Sequence, residues 1–448
     1  TDRRMDMGQF RTYARADAIW FGTGIFALTV LFALALLGSG NRNWLDARKA
    51  WIGAIGSALA FVPMYPVTAI DLFNYAGQSR IWTDYGLNPN VVPIAHLPHS
   101  KWTTFAGEWA VRPSPYGPLW RWLSAPTTVL SSDNLFLSVL LLKLLMGAAV
   151  LLVAWFVAEI LRLRGQARTV GIVAVAWSPF VLWEGIGNAH NDIVMGLFLI
   201  LALWAFQRGS LTATIPLLFA AALIKYTVVI VLPVVALAAL LRTPRGRRSS
   251  LISWWAIDSL FIALFAFWPF YQIRPIIDMA RDQTRLTLTS PLWLLQQLTA
   301  SQWAAGDVAD VFKPLALVLL MIILAVQWLR VARDQDQLFS AVTISLSTYL
   351  LLAAWQFRGW YLLPAVLAAA ATSTEWRVRM TVWSTCCLIA YWLYIWTQPE
   401  FHWTAQYSVR AGTVITFVPI VTMLLMDILG AVIDRMGLRR VTQSAEVA

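Results

Sequence analysis

Apolar runs of roughly twenty residues recur along nearly the whole chain, and no other feature of the sequence limits the fold so severely. At ~1.5 Å of rise per residue, about 20 residues cross a hydrocarbon core of ~30 Å. Lipid offers the backbone no hydrogen-bond partner, so each crossing segment must close its own bonds as a helix. Charge content agrees: 13% of the 448 residues are Asp, Glu, Lys or Arg and the mean hydropathy is +0.64, whereas soluble domains carry roughly 25% charged residues. The predicted fold is all-α, a polytopic membrane bundle of about 13 transmembrane helices with short interfacial helices in its outer loops.

The runs fall at 18–38, 51–70, 134–160, 170–183, 193–206, 211–223, 227–241, 252–270, 314–329, 338–354, 360–371, 381–396 and 411–433. Several are shorter than ~20 residues, as happens where helices line a recess. Three regions are expected: residues 1–50, an extension with one added span; 51–270, a core whose first outer loop is 71–133; and 271–448, further spans with a second outer loop at 271–313. The run 18–38 is long enough to remain as a span rather than leave as a signal peptide. Within the loops, 102–109, 119–130 and 291–298 mix Trp with polar residues and are expected to lie in the interface plane, while proline keeps 89–98 and 112–118 out of regular helix.

The net charge of +11 sits in short arginine clusters between apolar runs, a topology signal rather than a nucleic-acid footprint. Connections holding Arg162/Arg164/Arg168, Arg208, Arg242/Arg245/Arg247/Arg248, Arg330/Arg333, Arg377/Arg379 and Arg435/Arg439/Arg440 are assigned to the cytoplasm. The alternate connections then face outward, and they hold all four histidines: His96, His99, His190 and His402. The first span fits poorly, because an odd count places Arg3, Arg4, Arg11 and Arg15 outside. Only Cys386 and Cys387 occur, inside an apolar run, so no disulfide framework or thiolate metal site is expected.

Three groups on the outward side carry chemistry. Asp71 stands where the run 51–70 leaves the hydrocarbon, with Tyr75, Arg80 and Asp84 following. A carboxylate in a partly buried cleft suits a general base that takes a proton from an attacking hydroxyl; an acid there also serves as a helix cap or ion-pair partner. Residues 184–192, Glu-Gly-Ile-Gly-Asn-Ala-His-Asn-Asp, join two apolar runs with more polar side chains than a turn needs. Hydrogen bonding to a polyhydroxyl substrate suits Asn188, His190, Asn191 and Asp192, with Glu184 beside them. A metal site is a second reading, although the ligand spacing is unspecific, and a self-capped turn with Asp192 at a helix N-terminus is a third. Finally, Lys225 and Arg358 are isolated cations framed by aromatic residues at membrane depth, where a cation calls for an anionic partner. A lipid phosphate meets that need by bidentate hydrogen bonding; snorkelling to ordinary headgroups is the alternative. Lys143 lies deeper in its run and belongs to the same class.

The chain lacks a P-loop or dinucleotide fingerprint in a strand-to-helix setting, a Gly-x-Ser-x-Gly elbow and a cytoplasmic domain to hold a nucleotide sugar, so any donor must come from the membrane itself. Three motifs stand in order: Asp71 and Tyr75 with Gly-Leu-Asn-Pro at 86–89, Ser-Pro-Tyr-Gly-Pro-Leu at 114–119, and Gly-Asn-Ala-His-Asn-Asp at 187–192 followed by Lys225. Over roughly residues 69–226 this pattern resembles the polytopic GT-C glycosyltransferases, and within them the polyprenyl-phosphomannose-dependent α-1,6-mannosyltransferases of lipomannan synthesis.

The resemblance implies a transferase that moves a sugar, mannose by this likeness, from a polyprenyl monophosphate to a glycan or glycolipid acceptor with inversion. Asp71 is then the catalytic base; Tyr75, Arg80, Asp84, Tyr116, Glu184, Asn188, His190, Asn191 and Asp192 bind substrate; Lys225 and Arg358 hold the donor phosphate. Many relatives open this loop with paired acids, but here Leu72 follows Asp71. That departure favours a metal-independent reaction, with a divalent cation as the alternative. The expected setting is a multi-pass monomer in the plasma membrane, among membrane lipids, its site facing the periplasm or exterior, with no nucleic-acid partner. A transporter or flippase of lipid-linked sugars would instead place charges near the midplane, with discontinuous helices and repeat symmetry. A membrane acyltransferase or glycan polymerase would keep the topology and change the donor.

Overall fold

The computed structural model describes residues 15–40, 44–66, 68–97, 102–272, 274–285 and 287–435, so His99 lies outside them. Among the described residues the regular elements are helical, and the β pairing present is an isolated parallel bridge between Leu288 and Gln356. Each apolar run falls wholly or partly on helix. Six helices among the described residues are by themselves long and apolar enough to cross a membrane: Arg15–Gly38, Leu135–Leu163, Arg245–Phe267, Ala305–Arg333, Thr374–Gln398 and Ala405–Gly430. A bundle of about 13 crossings requires the shorter helices to span as well. Short helices are found at Trp102–Ala106, Pro118–Ser131 and Pro291–Leu298, within the stretches expected to form them.

Two runs read as continuous are broken. The helix Ala47–Phe61 stops short of Pro63 and Pro66, and residues 62–66 and 68–70 are not helical, so the helix does not continue to Ile70. The run 170–183 divides into Arg168–Ala176 and a π-wound segment, Val181–Gly187, bent by 58° around Trp177, Ser178 and Pro179. Proline removes a donor and obstructs the preceding turn, so both breaks have a covalent cause. Broken helices free backbone carbonyls, and buried carbonyls need partners. Lys143, from the helix Leu135–Leu163, supplies one ammonium to the first break and to the end of the π-wound segment, donating to the carbonyls of Met64 and, at 2.6 Å, of Gly187. Its role is thus a staple between the segments that lead into Asp71 and Asn188.

The basic connections gather at one end. Arg242 donates to the Phe206 carbonyl at 3.1 Å and lies 3.6 Å from Asp336, Arg164 lies over the Phe339 ring at 4.5 Å, and Arg377 donates to the Thr372 carbonyl at 2.7 Å. Ser39, just past the first helix, joins the same end through a bond from Thr169. At its other end that helix accepts from Trp392 at Ala18. Arg15 therefore starts its helix at the end opposite the clusters.

At that opposite end the first outer loop folds into a strap. Asn90, fully buried, donates its amide hydrogens to the carbonyls of Ser114 at 2.8 Å and Tyr116 at 3.0 Å, and Ser114 N–H returns a bond of 2.8 Å to Pro89. On its other flank the strap donates from Gly117 to Ile224 at 3.1 Å and from Leu119 to Leu223 at 3.1 Å. A Cβ at position 117 would sit 2.1 Å from the Leu223 oxygen and 2.6 Å from its carbonyl carbon, so glycine is required by close approach. We expect Gly117→Ala to destabilise the protein by about 1–3 kcal/mol, the usual range for overpacking. Thermal unfolding in detergent measures it, and an unchanged midpoint would refute the contact.

Candidate active site

The strap, the start of the helix Asp71–Thr83, the 288–289 and 356–361 segments and the paired helices Thr374–Phe401 and Ala405–Arg435 enclose a cavity of about 480 Å³. Asp71 lies on its wall, half-buried in the first turn of its helix, where an acid is favoured by the exposed N–H groups. The Tyr116 hydroxyl donates to Asp71 Oδ1 at 2.9 Å, which leaves Oδ2 for another partner. Burial, reinforced by the adjacent carboxylate, holds the Tyr116 phenol well above its ordinary range. Tyr116 thus remains a protonated donor and fixes the rotamer of Asp71.

Behind Tyr116 stands Tyr75, edge-on at 5.1 Å between ring centres, whose hydroxyl donates to Asn191 Oδ1 at 3.3 Å. Tyr75 is buried in the wall, and its phenol is likewise pushed well up, first by burial and then by Asp71. The chain Asp71–Tyr116–Tyr75–Asn191 joins all three sequence motifs.

Lys225 does line the cavity, yet its ammonium is held at 2.8 Å by each oxygen of Asp192 and lies 4.5 Å from the centre of the Tyr361 ring. Much of its charge is therefore neutralised within the protein. Arg358, also on the wall, has no ion pair among the described residues and is the more available cation. It is placed by the segment 356–359, which is pinned when Phe357 N–H donates to Leu288 at 3.0 Å and Leu288 N–H to Trp355 at 3.2 Å. The second outer loop thus positions Arg358, a coupling that the sequence order conceals.

The remaining expected residues stand apart from the cavity surface. Glu184, Asn188 and His190 are fully buried behind its wall. Asn188 donates to Glu184 at 2.8 Å and to Thr68, and accepts from the Thr68 N–H at 3.3 Å, bracing the residues before Asp71. His190 stacks on Trp360 with ring centres 4.0 Å apart; its Nε2 is 3.3 Å from Glu184 but lacks hydrogen-bond alignment. Asn191 and Asp192 are equally buried, so in this structure the 184–192 turn lies behind the cavity wall and braces it. Arg80 and Asp84 are not brought to the cavity among the described residues. Arg80 clamps three elements, donating to Ser131 at 3.2 Å, Ser138 at 2.9 Å and Asp84 at 3.2 Å. The sequence reading missed Asn74 and Gln78, which line the cavity from the same helix as Asp71, and Arg112 at its rim. Their spacing of three and seven residues from Asp71 was the available signal, since such positions share a helical face.

Comparison with known proteins places these elements in a wider group. A family described as alpha-(1->6)-mannopyranosyltransferase, N-terminal domain, matches residues 5–241. Alpha-(1->6)-mannopyranosyltransferase A of Mycobacterium tuberculosis is 26% identical over 256 residues, 55% of this chain and 48% of that protein. The Corynebacterium glutamicum protein of the same name is 26% identical over 190 residues, 41% of this chain and 39% of the relative. A probable alpha-(1->6)-mannopyranosyltransferase of Mycolicibacterium smegmatis is 28% identical over 197 residues, 42% of this chain and 35% of the relative. The matched stretch therefore spans about half, or less, of each curated relative. The family match covers Asp71, Tyr116, the 187–192 motif and Lys225, and ends before Arg358.

Proposed function

The chain belongs to the alpha-(1->6)-mannopyranosyltransferase family, and on that premise we propose that it is an integral membrane transferase moving mannose from a polyprenyl monophosphate to an acceptor glycan or glycolipid. The observation that carries this reading is one cavity with an oriented carboxylate, Asp71, and a guanidinium without an ion pair among the described residues, Arg358, on its wall. Asp71 Oδ2 takes the proton of an acceptor hydroxyl as that oxygen attacks the anomeric carbon. The carbon–oxygen bond to phosphate breaks, and its electron pair leaves with polyprenyl phosphate. A β-linked donor is inverted to an α-linkage.

Negative charge grows on the departing phosphate in the transition state, where preorganised donors act most strongly. Arg358 supplies the primary donor in this mechanism, with Lys225 contributing the proton its pairing to Asp192 leaves over. We take the reaction to be metal-independent, because Leu72 and not a second acid follows Asp71 and Asp192 is committed to Lys225. The gathering of arginine clusters at the far end supports a site on the outer face of the plasma membrane, and we take the working unit to be a monomer.

The test is direct. Purified protein in detergent, given radiolabelled polyprenyl-phosphate mannose and a lipid-tailed mannoside, should yield a lengthened glycan with an α-anomeric linkage. Label that crosses a vesicle membrane unchanged, with no glycan formed, would favour transport and overturn this reading.

A further inference from the structure

We infer that the cavity holds a second acceptor subsite, built by Asn74 and Gln78 with Arg121 behind them orienting Gln78, which recognises the sugar next to the one that reacts; this rests on the function proposed above. Asp71, Asn74 and Gln78 lie on one face of the helix Asp71–Thr83 and all line the cavity. Seven residues of helix measure about 10 Å, so the polar strip from Asp71 to Gln78 is roughly two pyranose rings long. Asn74 and Gln78 are each only 3% exposed, so the strip runs inward from Asp71 and does not skirt the rim.

These groups are built for a ligand. Arg121, fully buried on the neighbouring helix Pro118–Ser131, donates from Nη2 to Gln78 Oε1 at 3.2 Å. That bond occupies the amide oxygen of Gln78 and leaves its NH₂ as the group free to bind. Arg121 Nε and Nη1 and the Asn74 carbonyl oxygen are enclosed and have no hydrogen-bond partner among the described residues, so Arg121 serves the strip by aiming the Gln78 amide. A neutral polyol fits the strip: its hydroxyl oxygens accept from the Gln78 NH₂ and lie against Asn74. The chemical class is thus the penultimate hexose of a growing chain.

The assay compares two synthetic lipid-tailed acceptors, one α-mannoside and one α-1,6-dimannoside, with radiolabelled polyprenyl-phosphate mannose as donor. The wild-type protein should favour the dimannoside in kcat/KM by about ten-fold, the factor expected for one to two matched hydrogen bonds. In Gln78→Leu that ratio should fall to near one. Gln78→Glu keeps the volume, gives Arg121 a carboxylate partner and removes the donor, so it folds and should collapse the ratio in the same way. A ratio unchanged in both variants, or a wild-type ratio already near one, overturns the subsite. Absence of mannosyl transfer to either acceptor by wild-type protein fails the underlying function instead, so the two failures are distinguishable.

Discussion

Asp71→Asn is expected to lower the rate of mannosyl transfer by about a thousand-fold while donor binding and thermal unfolding stay as in the wild type. Removing a general base costs roughly 10²–10⁴ in rate, and a thousand-fold corresponds to about 4 kcal/mol of transition-state free energy. The substitution is conservative where it matters for folding, because the amide oxygen still accepts from Tyr116 as Asp71 Oδ1 does. What is lost is the basic oxygen facing the cavity. Single-turnover measurement with labelled donor isolates the chemical step, and turnover within a few-fold of wild type would remove Asp71 from its assigned role.

Arg358→Ala should be the next most damaging change. Deleting a preorganised donor to a developing anion costs about 10²–10³ in rate, and Arg358, unlike Lys225, has no internal ion pair among the described residues. Arg358→Lys keeps the charge but loses the planar fork that matches phosphate, so it should recover only part of the activity. Parallel binding of a labelled polyprenyl phosphate discriminates the cause: affinity for the leaving group must weaken together with the rate. Undiminished binding and turnover in Arg358→Ala would shift the phosphate to Lys225, despite its pairing with Asp192.

Much of this was readable in the sequence. The apolar runs announce a helical membrane protein because lipid leaves the backbone no alternative, and the spacing of the motifs points to Asp71 and Lys225. What the linear order hid is which polar residues face the cavity and which brace it. Glu184, Asn188 and His190 read like substrate ligands, because a turn that polar is unusual. The structure gives them wall partners in Thr68 and Trp360. Asn74 and Gln78 read like ordinary helix residues, because their relation to Asp71 shows only when the helix is drawn around its axis. The proline breaks at 62–70 and 177–179 were likewise masked by continuous hydrophobicity, since apolar composition measures burial and not helical continuity. Nor does any local signal reveal that Leu288 sets the position of Arg358, a pairing made across a long loop.

The approach of Gly117 to the Leu223 carbonyl has a bearing on how such proteins can be recombined. The strap and the segment leading to Lys225 share a backbone seam with no side chain between them, although more than a hundred residues of chain separate them. A chimaera that takes one from this protein and the other from a relative must keep both a bare position at 117 and the local path of the backbone at 223–224. Crossover points placed inside that interval separate two halves of one hydrogen-bonded seam, whereas crossovers after residue 225 leave it whole. The transferable module therefore begins before Asp71 and ends just beyond Lys225.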